Sequence, residues 1–170
     1  MSHNIPAIAF SAWSGTGKTT IIEQLIRRFK QKNLRVAVIK HDAHEFEIDQ
    51  EGKDSWRFTQ AGADMTVLSS EQKTVLMEQR SLSLQDLLSM VHDVDLILLE
   101  GYNQEQVPGL YRVGISRRAT GKGFRLPLDH YNVLVTDEAP DTTLPCFSPD
   151  EIDGLADFLL TDVKCYNEGH

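Results

Sequence analysis

The chain has 170 residues, a typical length for one domain with a substantial hydrophobic core. Hydrophobic residues make up 41% of the sequence and charged residues 25%, as in ordinary globular proteins. The 25 acidic residues outnumber the 17 basic ones and give a net charge of −8. This balance argues against nucleic acid as the main partner, because a phosphate backbone attracts basic surfaces, but it allows one local basic site.

No apolar run in the sequence approaches the ~20 residues that a membrane-spanning helix needs. The N-terminal residues also lack the basic region of a signal peptide. The two cysteines, Cys146 and Cys165, lie far apart and form no C-x-x-C pattern, so we expect reduced thiols and no disulfide scaffold. These features predict a cytoplasmic protein that does not contact a membrane.

The beginning of the chain is predicted to form a strand, a glycine-rich loop, a helix and a second strand. The apolar run PAIAF precedes the loop, and LRVAVIK follows the helix, whose predicted end is Asn33. Four apolar side chains recur on one face of this helix: Ile22, Leu25, Ile26 and Phe29. A strand–loop–helix–strand unit is the usual start of a parallel sheet.

The middle of the chain contains a predicted short helix in DSWRFTQAGA, with Asp54 as its N-cap and Gly62 as its end. Two β-like runs follow it, MTVLSS and TVLMEQ. Another helix is predicted in SLQDLLSMVH, because Ser83 stands three residues before Asp86 as in a capping box. The continuous apolar run DLILLEG that comes next suits a central parallel strand.

The last part of the chain returns to this pattern after an interruption. Residues 102–129 are Gly-rich, basic and poor in large aliphatic side chains. NVLVTDEAP then predicts a buried strand, and SPDEIDGLADFLL predicts a helix with Pro149 at its first position, between Ser148 and Glu151. The alternation of strands and helices predicts an α/β fold in a single domain, residues 1–170, with a basic Gly-rich insertion at about 102–129.

The loop after the first predicted strand matches the phosphate-loop pattern G-x-x-x-x-G-K-[ST], except that Ala12 takes the place of the first glycine. Backbone N–H groups at the start of a helix can cradle phosphate oxygens, and in this pattern the lysine contacts the β- and γ-phosphates while the hydroxyl binds Mg²⁺. A plain glycine-rich helix start with a solvated lysine is the alternative, but the flanking strand and helix favour a phosphate loop in a P-loop NTPase-like three-layer fold, with a mainly parallel sheet flanked by helices. The predicted nucleotide-contacting residues are Ser14, Gly15, Thr16, Gly17, Lys18, Thr19 and Thr20.

Acidic residues near two strand ends are the candidates for metal binding and catalysis. Ligands of an open parallel sheet gather at the carboxyl ends of its strands, which favours Glu100 over Asp95, roughly 16 Å away at the other end of the same strand. We therefore predict Thr19 and Glu100 as metal-associated residues, and Lys18, Glu100 and Asp42 as catalytic residues. His41 and His44 flank Asp42, but this spacing alone does not make a transition-metal site, and solvated histidines are the favoured interpretation.

A basic cluster stands out in this acidic chain: Arg112, Arg117, Arg118, Lys122 and Arg125. Interleaved glycines predict a mobile loop that either closes over an anion, supplying an arginine to a phosphate, or is simply solvated. Asp137 follows a late predicted strand, where P-loop GTPases carry their base-reading loop, so its carboxylate could accept from the N1–H and N2–H₂ groups of guanine. Because the N-K-x-D tetrapeptide is absent, the residues alone leave guanine and adenine open.

Three blocks of the sequence resemble the molybdopterin-guanine dinucleotide biosynthesis protein B (MobB) family: AFSAWSGTGKTT, VIKHDAHEFEIDQEGKDSWRFTQAGA and DLILLEGY. They run in family order through roughly the first 100 residues, and the second block is the more specific because many NTPases share a phosphate loop. KHDAH departs from the family pattern, and residues 102–129 match it least.

The resemblance implies a GTP-binding protein that needs Mg²⁺, has weak intrinsic GTPase activity and forms a homodimer. Its family role is to assist the guanylyltransferase that attaches GMP to molybdopterin, so the expected partners are GTP and either molybdopterin or that enzyme. The phosphate-loop role then falls on Gly15, Gly17, Lys18 and Thr19, and the strand-end acid role on Glu100. Two alternatives stay open: a small-molecule kinase with residues 112–125 as a basic lid, and a module that binds nucleotide without turnover.

Overall fold

The structure is a computed structural model that describes residues 5–41, 47–102 and 110–168, with side chains described as far as residue 164. None of the helices in these ranges is long and apolar enough to cross a membrane. Two 3₁₀ turns, Arg118–Thr120 and Leu128–His130, lie in the second half of the chain. The strands and helices are, in chain order, β1 (Ala7–Ser11), α1 (Lys18–Gln31), β2 (Val36–Lys40), α2 (Asp54–Gln60), β3 (Met65–Ser69), β4 (Thr74–Glu78), α3 (Leu84–Met90), β5 (Leu96–Glu100), β6 (Tyr111–Ile115), β7 (Val133–Val135), β8 (Cys146–Phe147) and α4 (Ile152–Glu168).

The chain divides into two compact units. The larger unit consists of Met1–His41 and Leu88–His170, and the smaller unit of Asp42–Leu87. The larger unit contains a parallel sheet with the strand order β2-β5-β1-β6-β7-β8. Because every pair in this sheet is parallel, the carboxyl ends of all six strands meet at one edge.

The core of the larger unit lies between one face of the sheet and the helices α1 and α4. Side chains that alternate along β1 and β5, such as Phe10 and Leu98, pack with Leu25 and Phe29 of α1 and with Leu155 of α4. The intervening side chains of these strands are also buried, which explains why the central strands read as continuous apolar runs. An ion pair of 2.8 Å between Lys32 and Asp157, together with one between Arg28 and Asp153, also joins the two helices. Packing on the sheet therefore fixes the position of α1, which carries the phosphate-loop lysine.

The smaller unit consists of α2 followed by the antiparallel hairpin of β3 and β4, in which Val67 lies opposite Leu76. Asp54 is the first residue of α2 and Lys53 is its N-cap, so the prediction of Asp54 as the N-cap is wrong by one residue. The predicted capping box at the start of α3 is confirmed, since Ser83 Oγ donates to the Asp86 carboxylate at 2.6 Å and accepts from the Asp86 N–H at 3.1 Å. These hydrogen bonds from Ser83 lower the pKa of Asp86.

The predicted P-loop NTPase-like α/β class, with a mainly parallel central sheet and flanking helices, is confirmed. The predicted basic loop is wrong for Tyr111–Ile115, which form the buried strand β6 inside the sheet. Gly114 contributed to the prediction of a loop, because glycine is rare in strands. In the structure a Cβ at Gly114 would lie 2.9 Å from two ring carbons of Tyr131, so the glycine makes room for an aromatic ring. Pro149 lies in a turn before α4 and is not its first helical residue.

Gly101, directly after β5, is required by a close approach of two backbone segments. The N–H of His41 donates to the carbonyl of Glu100 at 2.8 Å, which continues the β2–β5 pairing past the end of β2. Gly101 has φ of 97°, and a Cβ at this position would lie 2.4 Å from the backbone oxygen of His41. Both the dihedral angle and the space at Gly101 therefore exclude a larger residue.

We expect Gly101→Ala to lower the free energy of unfolding by about 2–4 kcal/mol, because it combines backbone strain with a clash against main chain. Gly121→Ala is the matched control, since Gly121 has φ of 62° but a Cβ there would meet nothing within 4 Å. The free energy of unfolding of the control should fall by only ~1–2 kcal/mol, the cost of placing a residue with a Cβ in the left-handed region. Urea unfolding of both variants measures the difference, and equal losses would show that contact with His41 is unimportant.

Candidate phosphate-binding site

The loop between β1 and α1 is shaped by two glycines in the left-handed region. Gly15 has φ of 83° and Gly17 has φ of 81°, a conformation that other L residues rarely adopt. Gly17 is the N-cap of α1, and no described side chain caps the first turn of the helix. The N–H groups at this end of α1 are therefore left for an external acceptor such as a phosphate oxygen.

Two further residues hold the loop in place. The hydroxyl of Thr16 donates to the carbonyl of Trp13 at 2.9 Å, and Thr16 itself is buried. Ala12 is also buried and belongs to the apolar core, so the residue at the first motif position packs inward. The loop thus has an internal hydrogen bond and an apolar anchor, while Ser14 and Thr20 lie exposed on its rim.

Glu100 lies beside the phosphate-loop residues Lys18 and Thr19. Its Oε1 is 3.5 Å from Lys18 Nζ and accepts from the hydroxyl of Thr19 at 3.3 Å. The side chains of Lys18 and Glu100 are only 18% and 12% exposed. The choice of Glu100 over Asp95 agrees with this geometry, since Asp95, which precedes β5, instead accepts from the N–H of Arg35 at 2.7 Å. Three of the predicted site residues are therefore brought together.

This group of side chains fits Mg²⁺ with a polyphosphate. Thr19 and Glu100 offer a hydroxyl and a carboxylate oxygen, which are the hard ligands that Mg²⁺ prefers, and Mg²⁺ is commonly held by one or two protein ligands together with phosphates and water. Over the described residues, no three His, Cys, Asp or Glu side chains form a cluster suited to a transition metal. His41 lies near this end of the sheet, with its ring 5.2 Å from that of Tyr102, whereas Asp42 and His44 fall outside the described residues.

Two residues of the predicted basic cluster reach the phosphate loop. The Arg125 guanidinium lies 5.1 Å from the ring centroid of Trp13, and the Lys122 ammonium lies 5.9 Å from it. Arg112 lies elsewhere and donates to the carbonyl of Tyr102 at 3.2 Å. The indole N–H of Trp13 is buried and has no acceptor among the described residues.

Tyr131 fastens this basic segment to the sheet. Its hydroxyl accepts from the N–H of Leu126 at 2.8 Å and donates to Ser11 Oγ at 3.3 Å, at the end of β1. The ring of Phe124 packs 5.8 Å from the ring of Tyr131. Neither Trp13 nor Tyr131 was among the predicted site residues. The position of Trp13 inside a glycine-rich phosphate loop could have indicated a role at the site. Nothing in the sequence indicates such a role for Tyr131.

Asp137 lies just after β7 and has a structural contact of its own. Its Oδ1 accepts from the N–H of Arg118 at 2.8 Å, which caps the 3₁₀ turn Arg118–Thr120. Beside it, the buried hydroxyls of Thr136 and Ser116 lie 2.9 Å apart and link the ends of β6 and β7. Capping occupies one carboxylate oxygen of Asp137, and Oδ2 has no hydrogen bond to a described residue.

Comparisons with known sequences identify the family of the chain. The family profile described as molybdopterin guanine dinucleotide synthesis protein B matches residues 7–137. A molybdopterin-guanine dinucleotide biosynthesis adapter protein of Escherichia coli (strain K12) is 35% identical over 165 residues, covering 92% of each chain. The adapter protein of Haemophilus influenzae is also 35% identical, over 168 residues that cover 94% of this chain and 90% of the relative.

Solved structures agree at the level of the fold. The crystal structure of Bacillus subtilis MobB superposes with a TM-score of 0.74 at 23% identity, and covers 92% of this chain and 97% of its own. A crystal structure of molybdopterin-guanine biosynthesis protein B superposes with a TM-score of 0.64 at 25% identity, covering 93% and 99%. With the sequence matches, these results show that the chain belongs to the molybdopterin guanine dinucleotide synthesis protein B (MobB) family.

Proposed function

We propose that this chain is a GTP-binding adapter protein with weak, Mg²⁺-dependent GTPase activity that assists the formation of molybdopterin guanine dinucleotide. The contact of Glu100 with both Lys18 and Thr19 beside an uncapped helix start is the observation that carries the nucleotide-binding part. The adapter role rests on family membership and on the names of the relatives. The free thiol of Cys146 suits the reducing cytoplasm, where we place this role.

In the proposed complex, backbone N–H groups from Ser14 to Thr19 and the ammonium of Lys18 bind the phosphates. Thr19 and Glu100 hold Mg²⁺, which supplies positive charge to neutralise the phosphate oxygens. With Glu100 assigned to Mg²⁺, no described residue is assigned as a general base for the attacking water, and we expect weak intrinsic turnover for this reason. Asp42, predicted from the sequence as a catalytic residue, lies outside the described residues and stays a candidate.

Substitutions at the loop should separate binding from hydrolysis. Lys18→Ala removes a charge-assisted contact worth about 1.5–3 kcal/mol, so we expect GTP affinity to fall about 10–100-fold, and Thr19→Ala to weaken Mg²⁺-dependent binding. Glu100→Ala should lower the rate of phosphate release more than the affinity. Isothermal titration and phosphate-release assays measure the two effects. Arg27→Ala is the control, since Arg27 is an exposed cation on the same helix.

The same assays distinguish the adapter from the kinase alternative. An adapter GTPase releases inorganic phosphate without an acceptor and stimulates a guanylyltransferase. A small-molecule kinase transfers the phosphoryl group to an acceptor, which phosphorus NMR would detect as a new phosphoester. Unchanged phosphate release in Glu100→Ala would remove Glu100 from the mechanism, and GTP binding unaffected by Lys18→Ala would contradict the phosphate-loop assignment.

Guanine selectivity is proposed to depend on Asp137. A carboxylate oxygen accepts from the two donors of guanine, N1–H and N2–H₂, whereas adenine presents no such pair of donors. Asp137→Asn keeps an oxygen to accept from the Arg118 N–H, so the 3₁₀ turn should stay capped. The place of Oδ2 is then taken by an amide NH₂ group, which donates and does not accept. We expect this variant to lose about tenfold in GTP affinity and to gain affinity for xanthosine triphosphate, which has a carbonyl at C2. Titration showing equal GTP and ATP affinities in the parent would contradict the proposal.

The smaller unit is the proposed surface for homodimer formation. Four apolar side chains of its hairpin are between 43% and 54% exposed: Met65, Val67, Leu68 and Leu76. Phe58 of α2 is exposed as well and lines an open hollow of about 550 Å³ with Met65 and Val67. A two-stranded hairpin is marginally stable alone, and exposed apolar patches mark interaction sites. A second copy of the chain would cover this surface.

Light scattering coupled to size exclusion tests the dimer. The parent should have twice the 19.2 kDa mass of one chain, and Val67→Glu should shift it to a single copy by placing a charge in the apolar surface. Lys73→Glu, in the hairpin turn, is the control and should leave the dimer intact. A parent of single-chain mass would contradict the proposed dimer without affecting the nucleotide site.

A further inference from the structure

We infer that Arg125 and Lys122, held on the ring of Trp13, contact the γ-phosphate of a nucleoside triphosphate bound in the loop. This inference rests on the proposed nucleotide-binding function and adds residues to its site. Trp13 lies inside the phosphate loop, two positions before Gly15, and its ring holds both cations within 6 Å of its centroid, at 5.1 Å for Arg125 and 5.9 Å for Lys122. Residues more than 100 positions apart in sequence are therefore neighbours at the loop.

The charges at this place are not balanced by the protein. Lys18 is paired with Glu100, but no carboxylate in the described part of the chain lies within ion-pair distance of Lys122 or Arg125. The ring of Trp13 attracts a cation by only about 0.5–1 kcal/mol at an exposed site. Two positive charges near one ring also repel each other. An anion placed between them would relieve this repulsion, although the chain as a whole carries a net charge of −8.

An arginine that lies over an aromatic ring can still bind phosphate. Cation–π contact uses the flat face of the guanidinium, while its N–H donors point outward in the plane of the group. With its flat face on Trp13, Arg125 would keep this contact and still offer two parallel N–H groups to phosphate oxygens. Lys122 adds a mobile point charge from the same segment. Both side chains are exposed, so an anion can reach them.

The segment that carries these cations is fastened to the sheet. The hydroxyl of Tyr131 accepts from the N–H of Leu126, the neighbour of Arg125, and the ring of Phe124 packs against that of Tyr131. Tyr131 in turn donates to Ser11 at the end of β1, where the phosphate loop begins. The position of Arg125 next to the loop therefore follows from contacts with the core, and less conformational entropy is lost when it binds a ligand.

Titration of GTP and GDP against variants tests the inference. We expect Arg125→Ala to weaken GTP binding about tenfold and GDP binding less than threefold, because only GTP has the γ-phosphate. Arg125→Lys should recover part of the affinity, and Trp13→Leu should weaken GTP binding in the same direction because both cations lose their support. Arg118→Ala is the matched control, since Arg118 is an exposed arginine of the same segment that forms no cation–π contact with Trp13 in the described part of the chain.

Fluorescence of Trp13 gives a second readout that a purely structural role would not change. Trp56→Phe leaves Trp13 as the single tryptophan, since the sequence contains two. Adding GTP should change its emission, because Arg125 and Lys122 shift when they bind phosphate, and Arg125→Ala should reduce this change.

The outcomes separate the two proposals. GTP affinity equal in Arg125→Ala and the parent, a comparable loss for GDP, or an equal loss in Arg118→Ala would each overturn the inference. If Lys18→Ala abolishes binding while Arg125→Ala does not affect it, the proposed function stands and the inference fails. A parent chain that binds no GTP would overturn both.

Discussion

The parallel pairing of β1 with β5 is the constraint on which the rest of the candidate site depends. In this register Phe10 lies level with Glu100, so the acid at the end of β5 lies where the chain leaves β1 for the phosphate loop. A shift of one residue would turn the Glu100 side chain to the opposite face of the sheet, away from Lys18 and Thr19. Backbone pairing in the core therefore sets the site as firmly as the loop does.

The charges around the loop form two different arrangements. Lys18 and Glu100 neutralise each other, so either of them can accept a ligand of opposite charge only as this pair loosens. Arg125 and Lys122 have no such partner among the described residues and rest on the ring of Trp13. The charges of Lys18 and Glu100 cancel when no ligand is bound. Arg125 and Lys122 leave an uncompensated positive charge at the rim of the loop, which attracts anions. An acidic protein can thus carry a local site for phosphate.

The sequence predicted the parts of the site that depend on local patterns. The phosphate loop has a fixed spacing, and the apolar run before Glu100 identified the strand end that carries the acid, so Lys18, Thr19 and Glu100 could be placed together. The contact of Arg125 with the ring of Trp13 could not be predicted, because it depends on how β6 and the following segment pack. Composition even indicated a mobile loop for the start of this region, since Gly114 and Arg112 are poor strand signals. The structure shows that Gly114 is there because Tyr131 needs its space.

Ala12 shows which glycines of the phosphate-loop motif are physically required. Only Gly15 and Gly17 adopt positive φ in the loop, and a Cβ at either would meet nothing within 4 Å, so dihedral freedom and not space explains them. Ala12 has no positive φ and packs its methyl group into the core beside β1. An alanine there adds buried apolar surface and reduces the conformational entropy of the unfolded chain relative to glycine. The departure from the motif is therefore compatible with a phosphate loop, since the two positions that shape the backbone keep their glycines.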